Sequence, residues 1–248
     1  METRLKLDIQ PQPDNTTCGP TCLHALYRYY NDPVPLETVI AEAPTLESGG
    51  TLAVLLGCHA LKRGYEGTTY TYNLQLFDPT WFADPPANLA EKLTAQMAVK
   101  DSPRLHAATN GYLEFLRLGG LVRMEDLTSE LIRRFLTRGI PLLTGLSATF
   151  LYRDAREYGP DLESDDVRGS PTGHFVVLCG YDRQTRNVLV ADPWLPNPLA
   201  SEQLYELNID RVVNAILLGI VTYDANLLIL QPRKPKQRRG RADRHRGQ

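Results

Sequence analysis

At 248 residues, with 42% hydrophobic and 23% charged residues, the chain has the length and composition of a globular protein built around one sizeable domain. It carries no apolar segment long enough for a signal peptide or a membrane span, so we expect a cytoplasmic protein that makes no membrane contact. The net charge of −2 is the sum of an acidic body and a basic C-terminal tail.

The first half of the chain is predicted to be mainly helical. Apolar residues at helical spacing predict helices over residues 18–30, 36–43 and 51–63, and Gly64 follows as a C-terminal stop. Residues 65–73 alternate and are rich in Thr and Tyr, which predicts a strand. Three further helices are predicted over residues 86–99, 103–118 and 129–138.

The second half of the chain changes character after Gly139. Residues 153–172 are polar and acidic and are predicted to form a long loop, a kind of segment that is often functional. The helices mostly precede the strands rather than alternating with them. This order indicates an α+β fold in which N-terminal helices pack on a C-terminal antiparallel sheet. Short β-rich runs predict its strands over residues 140–152, 174–182, 187–194, 217–224 and 226–231.

Cys18 is the candidate nucleophile. It stands at the predicted N-terminus of the first helix, where the helix dipole and free backbone N–H groups favour a thiolate. Gly19 lets the backbone come close to a bound carbonyl group. The side chain of Gln12, six residues upstream, and the backbone N–H of Cys18 would form an oxyanion hole for acyl transfer. Gln10 is a competing candidate for this second donor.

A thiolate nucleophile needs a base, and the base needs a group that orients it. His174 opens one predicted strand, and Asp192 closes the next one after a hairpin-like connection. In an antiparallel pair the start of one strand lies beside the end of the next, so we expect the imidazole and the carboxylate to be neighbours. The sequence therefore predicts a Cys–His–Asp site that forms an acyl-enzyme.

The other cysteines and histidines offer alternatives. Cys18 and Cys22 are four residues apart on one helical face, and with Cys58 and His59 they are the members of an alternative metal site. The predicted acyl transfer itself requires no metal and no organic cofactor. His59 is also the second candidate for the base. Two cysteines lie in apolar runs and are expected in the core, namely Cys58 and Cys179.

Three segments of the chain resemble a known family. Residues 12–23, 173–182 and 188–194 are similar to the papain-like bacteriocin-processing peptidases, which cut after double-glycine leaders, and to their stand-alone relatives. Members have an oxyanion-hole Gln, a Cys–Gly pair six residues later, a Gly–His at a strand start and an Asp–Pro at the next strand's end. The resemblance assigns these positions to Gln12, to Cys18 with Gly19, to Gly173 with His174, and to Asp192 with Pro193.

The resemblance implies a bacterial cysteine peptidase of papain-like fold, with a peptide or protein as its substrate. It places Gly19, Gly173 and Trp194 in contact with that substrate. No transporter segments follow in the sequence, so we expect the stand-alone form. Two other functions use the same residues, an acyl transferase or transpeptidase and a catalytically silent peptide-binding module.

The domain prediction has three parts. We expect a peptidase domain over residues 1–231, in which residues 65–139 are an insertion without a counterpart in the family. Residues 232–248 are predicted to be a disordered tail, and its eight Arg and Lys residues are suited to nucleic acid or another anionic partner. A tail that solubilises the protein or docks on its acidic body is the alternative. The acidic segment 157–166 would act as a lid or select basic substrates, or form a solvated insertion.

Overall fold

A computed structural model describes residues 2–46 and 49–233, so the predicted basic tail lies outside the described residues except for its first two positions. The helices are α1 (Cys18–Tyr29), α2 (Leu36–Glu42), α3 (Ala53–Lys62), α4 (Leu89–Val99), α5 (Pro103–Arg117), α6 (Ser129–Leu136), α7 (Ala148–Tyr152) and α8 (Ile209–Leu218), with 3-10 helices at Pro79–Phe82 and Gly219–Thr222. The strands are β1 (Glu2–Arg4), β2 (Tyr65–Thr71), β3 (Leu121–Arg123), β4 (Leu142–Ser147), β5 (Glu157–Tyr158), β6 (Glu163–Ser164), β7 (Gly173–Asp182), β8 (Asn187–Ala191), β9 (Leu204–Asn208) and β10 (Asn226–Pro232).

Eight strands form one sheet in the order β3-β2-β10-β4-β7-β8-β9, with β1 added beside β7. Among the described residues, all of its strand pairs are antiparallel except β2 with β3. The predicted α+β class and the antiparallel sheet are thus confirmed. The region predicted as an insertion begins with β2, which lies inside this sheet between β3 and β10; the insertion itself stays a prediction.

β7 is buried on both faces of the sheet. Its side chains alternate between the two faces, as in any strand. Phe175 and Val177 join a core that contains residues of α1, α3 and α5. Val176 and Leu178 join a second core with residues of α6, α7 and α8. The N-terminal helices therefore pack on one face as predicted, and later helices cover the other.

The strand predicted over residues 217–224 is wrong. This segment contains the end of α8 and the 3-10 helix at Gly219–Thr222. The Asn208 side chain caps α8 by accepting a hydrogen bond from the Asp210 backbone N–H at 2.9 Å. A short apolar run does not by itself distinguish a strand from a buried helix. The helix buries residues at helical spacing in the second core, namely Ile209, Val212, Ala215 and Ile216.

The strand predicted over residues 140–152 is correct only for its middle part. β4 ends at Ser147, whose hydroxyl accepts a hydrogen bond from the Phe150 backbone N–H at 3.3 Å and so caps α7. The following loop also contains structure that was not predicted, because β5 and β6 pair across a turn with Gly159 at φ 72°. Its role as a lid or selector stays a prediction. The short strands β1, β3 and β9 were not predicted either.

Asp224 anchors the N-terminus of α3 to the start of β10. Its carboxylate is 5% exposed and accepts hydrogen bonds from the Ala53 backbone N–H at 3.1 and 3.2 Å and from Asn226 Nδ2 at 3.0 Å. Burial raises the pKa of Asp224 to about 7, although both donors favour the charged form. The carboxyl group is therefore protonated in mildly acidic solution.

We expect Asp224→Asn to stabilise the protein at pH 8 by roughly 2–4 kcal/mol and to have little effect near pH 4. The folded-state pKa lies above the unfolded value, so the folded wild type binds more protons between these two values and loses stability as the pH rises through about 7. The substitution keeps an acceptor for the Ala53 N–H but carries no charge. Urea denaturation at pH 4, 6 and 8 measures the effect, with the exposed Asp161→Asn as control. Equal stability changes at all three pH values would contradict the prediction.

Candidate active site

The first helix begins at the candidate nucleophile. Asp14 shapes the preceding turn, because its carboxylate accepts hydrogen bonds from the Thr16 backbone N–H at 2.8 Å and from the Thr16 hydroxyl at 2.7 Å. Pro20 lies in the first turn, where its missing N–H costs no hydrogen bond. α1 starts at Cys18, whose thiol is half-buried, and no side chain among the described residues caps this helix end. The helix dipole favours negative charge at this position.

Cys22 connects α1 to the strand that carries His174. Its thiol donates a hydrogen bond to the Phe175 backbone oxygen, with Sγ and O 3.2 Å apart. Cys18 lies one helical turn upstream of Cys22, on the same face of the helix. The Cys18 thiol is therefore brought near the beginning of β7, where it helps to raise the pKa of His174.

His174 and Asp192 are in direct contact. The antiparallel pairing of β7 with β8 brings the start of one strand to the end of the other. His174 Nε2 lies 2.8 Å from Asp192 Oδ1, and the two side chains are 7% and 0% exposed. Since Nε2 faces the carboxylate, Nδ1 is the ring nitrogen available to the Cys18 thiol.

The Asp192 carboxylate has further donors that sequence reasoning missed. Its Oδ2 accepts hydrogen bonds from the Tyr152 and Tyr205 hydroxyls, each at 2.6 Å. Its Oδ1 also accepts one from the Trp194 backbone N–H at 2.9 Å. Tyr152 ends α7 and Tyr205 lies in β9, so they come from distant parts of the chain. No local sequence pattern marks either tyrosine, because only the folded chain brings them together.

The electrostatics of the pair favour an imidazolium and a carboxylate. Burial alone would lower the pKa of His174, but the Asp192 carboxylate outweighs it and raises that pKa to about 10. Burial alone would raise the pKa of Asp192, but His174 and the two tyrosine hydroxyls hold it below its usual range. At neutral pH both groups are therefore charged. Cys22 differs, because burial raises the pKa of its thiol well above the usual range and keeps it neutral.

Gln12 lies beside the turn that follows Asp192. Its backbone N–H donates to the Pro193 oxygen at 2.8 Å. Its side-chain Nε2 donates to the Asp14 backbone oxygen at 2.8 Å, and a primary amide has a second N–H that this bond does not use. The competing Gln10 is exposed and lines a separate surface groove.

Three residues were predicted to contact substrate. Gly19 is buried, and a Cβ at this position would lie 2.7 Å from Thr51 Cγ2 and 3.2 Å from Phe175 Cδ2, so close packing already requires glycine there. Gly173 is exposed at the start of β7. The half-buried ring of Trp194 lies edge-on to the His174 ring, with centroids 6.1 Å apart, and shields one side of it. Their contacts with substrate stay predictions.

The alternative residues have other partners. His59 Nδ1 lies 2.7 Å from the Tyr27 hydroxyl and its Nε2 lies 3.1 Å from Glu42 Oε2, so it belongs to a network that does not include Cys18. The Cys58 thiol is buried. Across residues 2–46 and 49–233, no group of three or more His, Cys, Asp or Glu side chains is arranged to hold a metal ion. Cys179 is buried in the first core, as expected.

The described helices include none that is both long enough and apolar enough to cross a membrane.

Comparison with known proteins adds to this geometry. A family model described as "Peptidase_C39 like family" matches residues 4–211. No curated protein sequence matches significantly. A crystal structure described as a C39-like peptidase from Bacillus anthracis is similar in fold, with a TM-score of 0.51 and 12% identity over 95% of this chain and 100% of that one.

Two other solved structures match over most of their length at lower TM-scores. One is a double glycine motif protease from an AMS/PCAT transporter in complex with its leader peptide, with a TM-score of 0.45 and 15% identity over 93% of this chain and 95% of that one. The other is xylellain, a cysteine protease from Xylella fastidiosa, with a TM-score of 0.43 and 14% identity. The match covers 94% of this chain and 86% of that one. At these identities the likeness concerns the fold.

Proposed function

Since the chain belongs to the Peptidase_C39-like family of papain-like cysteine peptidases, we propose that it hydrolyses peptide bonds with Cys18 as nucleophile, His174 as acid and base, and Asp192 as the orienting carboxylate. Gln12 is proposed as an oxyanion donor. The substrate is a peptide or a protein segment that binds where α1 meets the start of β7.

One observation carries this proposal. A buried carboxylate holds His174 through Nε2 at 2.8 Å, and the half-exposed thiol at a helix N-terminus helps to raise the pKa of the same ring. This is the order that nucleophilic catalysis by a thiol requires: nucleophile, base and orienting group. The raised pKa of His174, caused by the Asp192 carboxylate against the effect of burial, supports an imidazolium that can protonate a leaving amine.

The proposed reaction begins with a Cys18 thiolate and a protonated His174. The sulfur attacks the carbonyl carbon, and negative charge moves to the carbonyl oxygen. That oxygen accepts hydrogen bonds from the Cys18 backbone N–H and from the second side-chain N–H of Gln12. The C–N bond then breaks, and His174 gives its proton to the leaving amine. Water attacks the thioester while His174 takes its proton, and the thiolate leaves as the carboxylic acid product is released.

We expect an alkylating reagent such as iodoacetamide to modify Cys18 rapidly and selectively at pH 6, and we expect His174→Ala to abolish this selectivity. An ordinary thiol is almost fully protonated at this pH, so fast reaction requires a thiolate stabilised by the imidazolium. Peptide mapping by mass spectrometry measures the extent of labelling at each cysteine. Cys58 and Cys179 are buried and serve as internal controls.

Slow labelling of Cys18, unchanged in His174→Ala, would contradict the proposed function. That result would favour a papain-like module that binds peptides without cleaving them.

A further inference from the structure

The Asp192 carboxylate is surrounded by donors on both oxygens. Oδ1 receives His174 Nε2 and the Trp194 backbone N–H, while Oδ2 receives the hydroxyls of Tyr152 and Tyr205. The carboxylate is fully buried, so water cannot replace any of these bonds. An ionised carboxylate in such a place is stable only when its oxygens are hydrogen-bonded.

The two tyrosines are held in place by separate elements. Tyr205 lies in β9 opposite Val190 of β8, two residues before Asp192. Tyr152 is the last residue of α7, and Arg211 of α8 hydrogen-bonds to the Leu151 backbone oxygen beside it. Both rings are buried, at 5% and 9% exposure for Tyr152 and Tyr205. Their hydroxyls are therefore directed at the carboxylate by the packing of α7 and β9.

Both hydroxyls are neutral in this arrangement, so each has a proton to donate to the carboxylate. Burial, followed by the nearby Asp192 charge, raises the pKa of Tyr152 and of Tyr205 far above the usual range, so neither ionises under ordinary conditions. A carboxylate that accepts two such bonds on one oxygen is also prevented from turning. Other titratable or charged groups that face this cluster are Cys18 and Cys22 from α1, His174 from β7 and Arg211 from α8.

We infer that Tyr152 and Tyr205 are positioning residues of the site: their hydroxyls keep the Asp192 carboxylate ionised and turned so that Oδ1 meets His174. The inference rests on the proposed function for its catalytic meaning. The tyrosine hydroxyls act through Asp192; the Tyr152 ring also lies beside the His174 ring, with centroids 6.0 Å apart, and Tyr152→Phe keeps that contact. Removing a hydroxyl makes the charged carboxylate less favourable, so Asp192 takes up a proton at a higher pH than in wild type. Once it is protonated, it no longer stabilises the imidazolium of His174.

The test compares Tyr152→Phe, Tyr205→Phe and the double variant with wild type. The replacement keeps each ring and removes only its hydroxyl. We expect the acidic limb of the kcat/KM profile to move toward neutral pH by about one pH unit in each single variant and by about two in the double variant. Tyr30→Phe is the matched control, because it removes a hydroxyl that donates to the Leu230 backbone oxygen at 2.9 Å, outside the Asp192 cluster. Its profile should match that of wild type.

A second readout does not depend on turnover. It is an NMR titration of protein labelled with 13C at the Asp carboxyl carbons. The resonance of Asp192 is identified as the one that is missing from the spectrum of Asp192→Asn. We expect it to titrate below the usual range in wild type and at higher pH in each tyrosine variant. If wild type hydrolyses no peptide, the proposed function fails while this titration still decides the role of the tyrosines.

Two results would overturn the inference. One is a wild-type Asp192 that titrates at or above the usual value for aspartate, which needs no variant and applies even if the variants do not fold. The other is a carboxyl titration and an acidic limb that stay unchanged in folded Tyr152→Phe and Tyr205→Phe. A lower melting temperature with an unchanged titration would mark the tyrosines as packing residues only.

Discussion

Cys18→Ala is expected to lower kcat/KM for peptide hydrolysis by a factor on the order of 10⁴ while the protein stays folded. The substitution removes the atom that would form the thioester, and the half-exposed side chain carries little of the core packing. The other three thiols do not replace it, because burial keeps each of them neutral. Burial raises the pKa of Cys58 to about 11 and that of Cys179 to about 12, and it raises that of Cys22 well above its usual range.

The measurement is steady-state hydrolysis of a peptide library, with circular dichroism to confirm the fold. Cys58→Ala is the matched control, since it removes a buried thiol that donates only a long hydrogen bond to the Gly111 oxygen. We expect its activity to stay within about threefold of wild type. If Cys18→Ala retained a tenth of the wild-type activity, the cleavage would not proceed through this thiol.

Asp192→Asn is expected to lower kcat by a factor on the order of 10² to 10⁴ and to move the alkaline limb of activity to lower pH. Burial opposes the imidazolium, and the Asp192 carboxylate, with a smaller contribution from Cys18, raises the pKa of His174 to about 10. An amide has no charge to offset burial, so the imidazolium loses its proton at a lower pH. The amide N–H₂ also faces His174 as a donor and favours the wrong tautomer of the ring.

The free energy of unfolding should also depend on pH, because the pKa of His174 differs between the folded and the unfolded chain. The folded-state pKa of His174 lies above its unfolded value of about 6.5, so the ion pair stabilises wild type fully below pH 6.5, and this contribution is lost as the pH rises toward 10. Asp192→Asn should remove that pH dependence. Urea denaturation between pH 6 and 10 measures it, with Asp210→Asn, which changes an exposed ion pair with Arg186, as control. An unchanged alkaline limb and an unchanged stability profile would contradict the assigned role of Asp192.

Local patterns in the sequence were enough for much of the fold. Apolar residues at helical spacing indicate a helix over residues 18–30, and α1 does begin at Cys18. The β-rich runs over residues 174–182 and 187–194 indicate two strands joined by a hairpin, and β7 and β8 are paired as expected, although β8 ends at Ala191. That pairing also led to the expectation that His174 and Asp192 are neighbours, and the structure has them in contact. Their catalytic roles stay proposals.

Other elements depend on contacts between distant residues. The apolar run after residue 216 suits a strand as well as a helix, and only the packing of the preceding α8 residues against the second core decides for a helix. Gly19 was interpreted as a residue that admits a substrate carbonyl. The structure adds that Thr51 and Phe175 leave no room for a Cβ, which depends on how α1, β7 and the segment before α3 meet.

The sequence alone determined the α+β class, the helix that starts at Cys18, and the hairpin that joins His174 to Asp192, because each follows from a local pattern of apolar and turn residues. Only the tertiary structure decided what surrounds the carboxylate. Tyr152 and Tyr205 reach Asp192 from 40 and 13 residues away, through the packing of α7 and β9. A hydrogen bond between such positions has no periodicity or spacing in the sequence, so it exists as a recognisable feature only after the chain has folded.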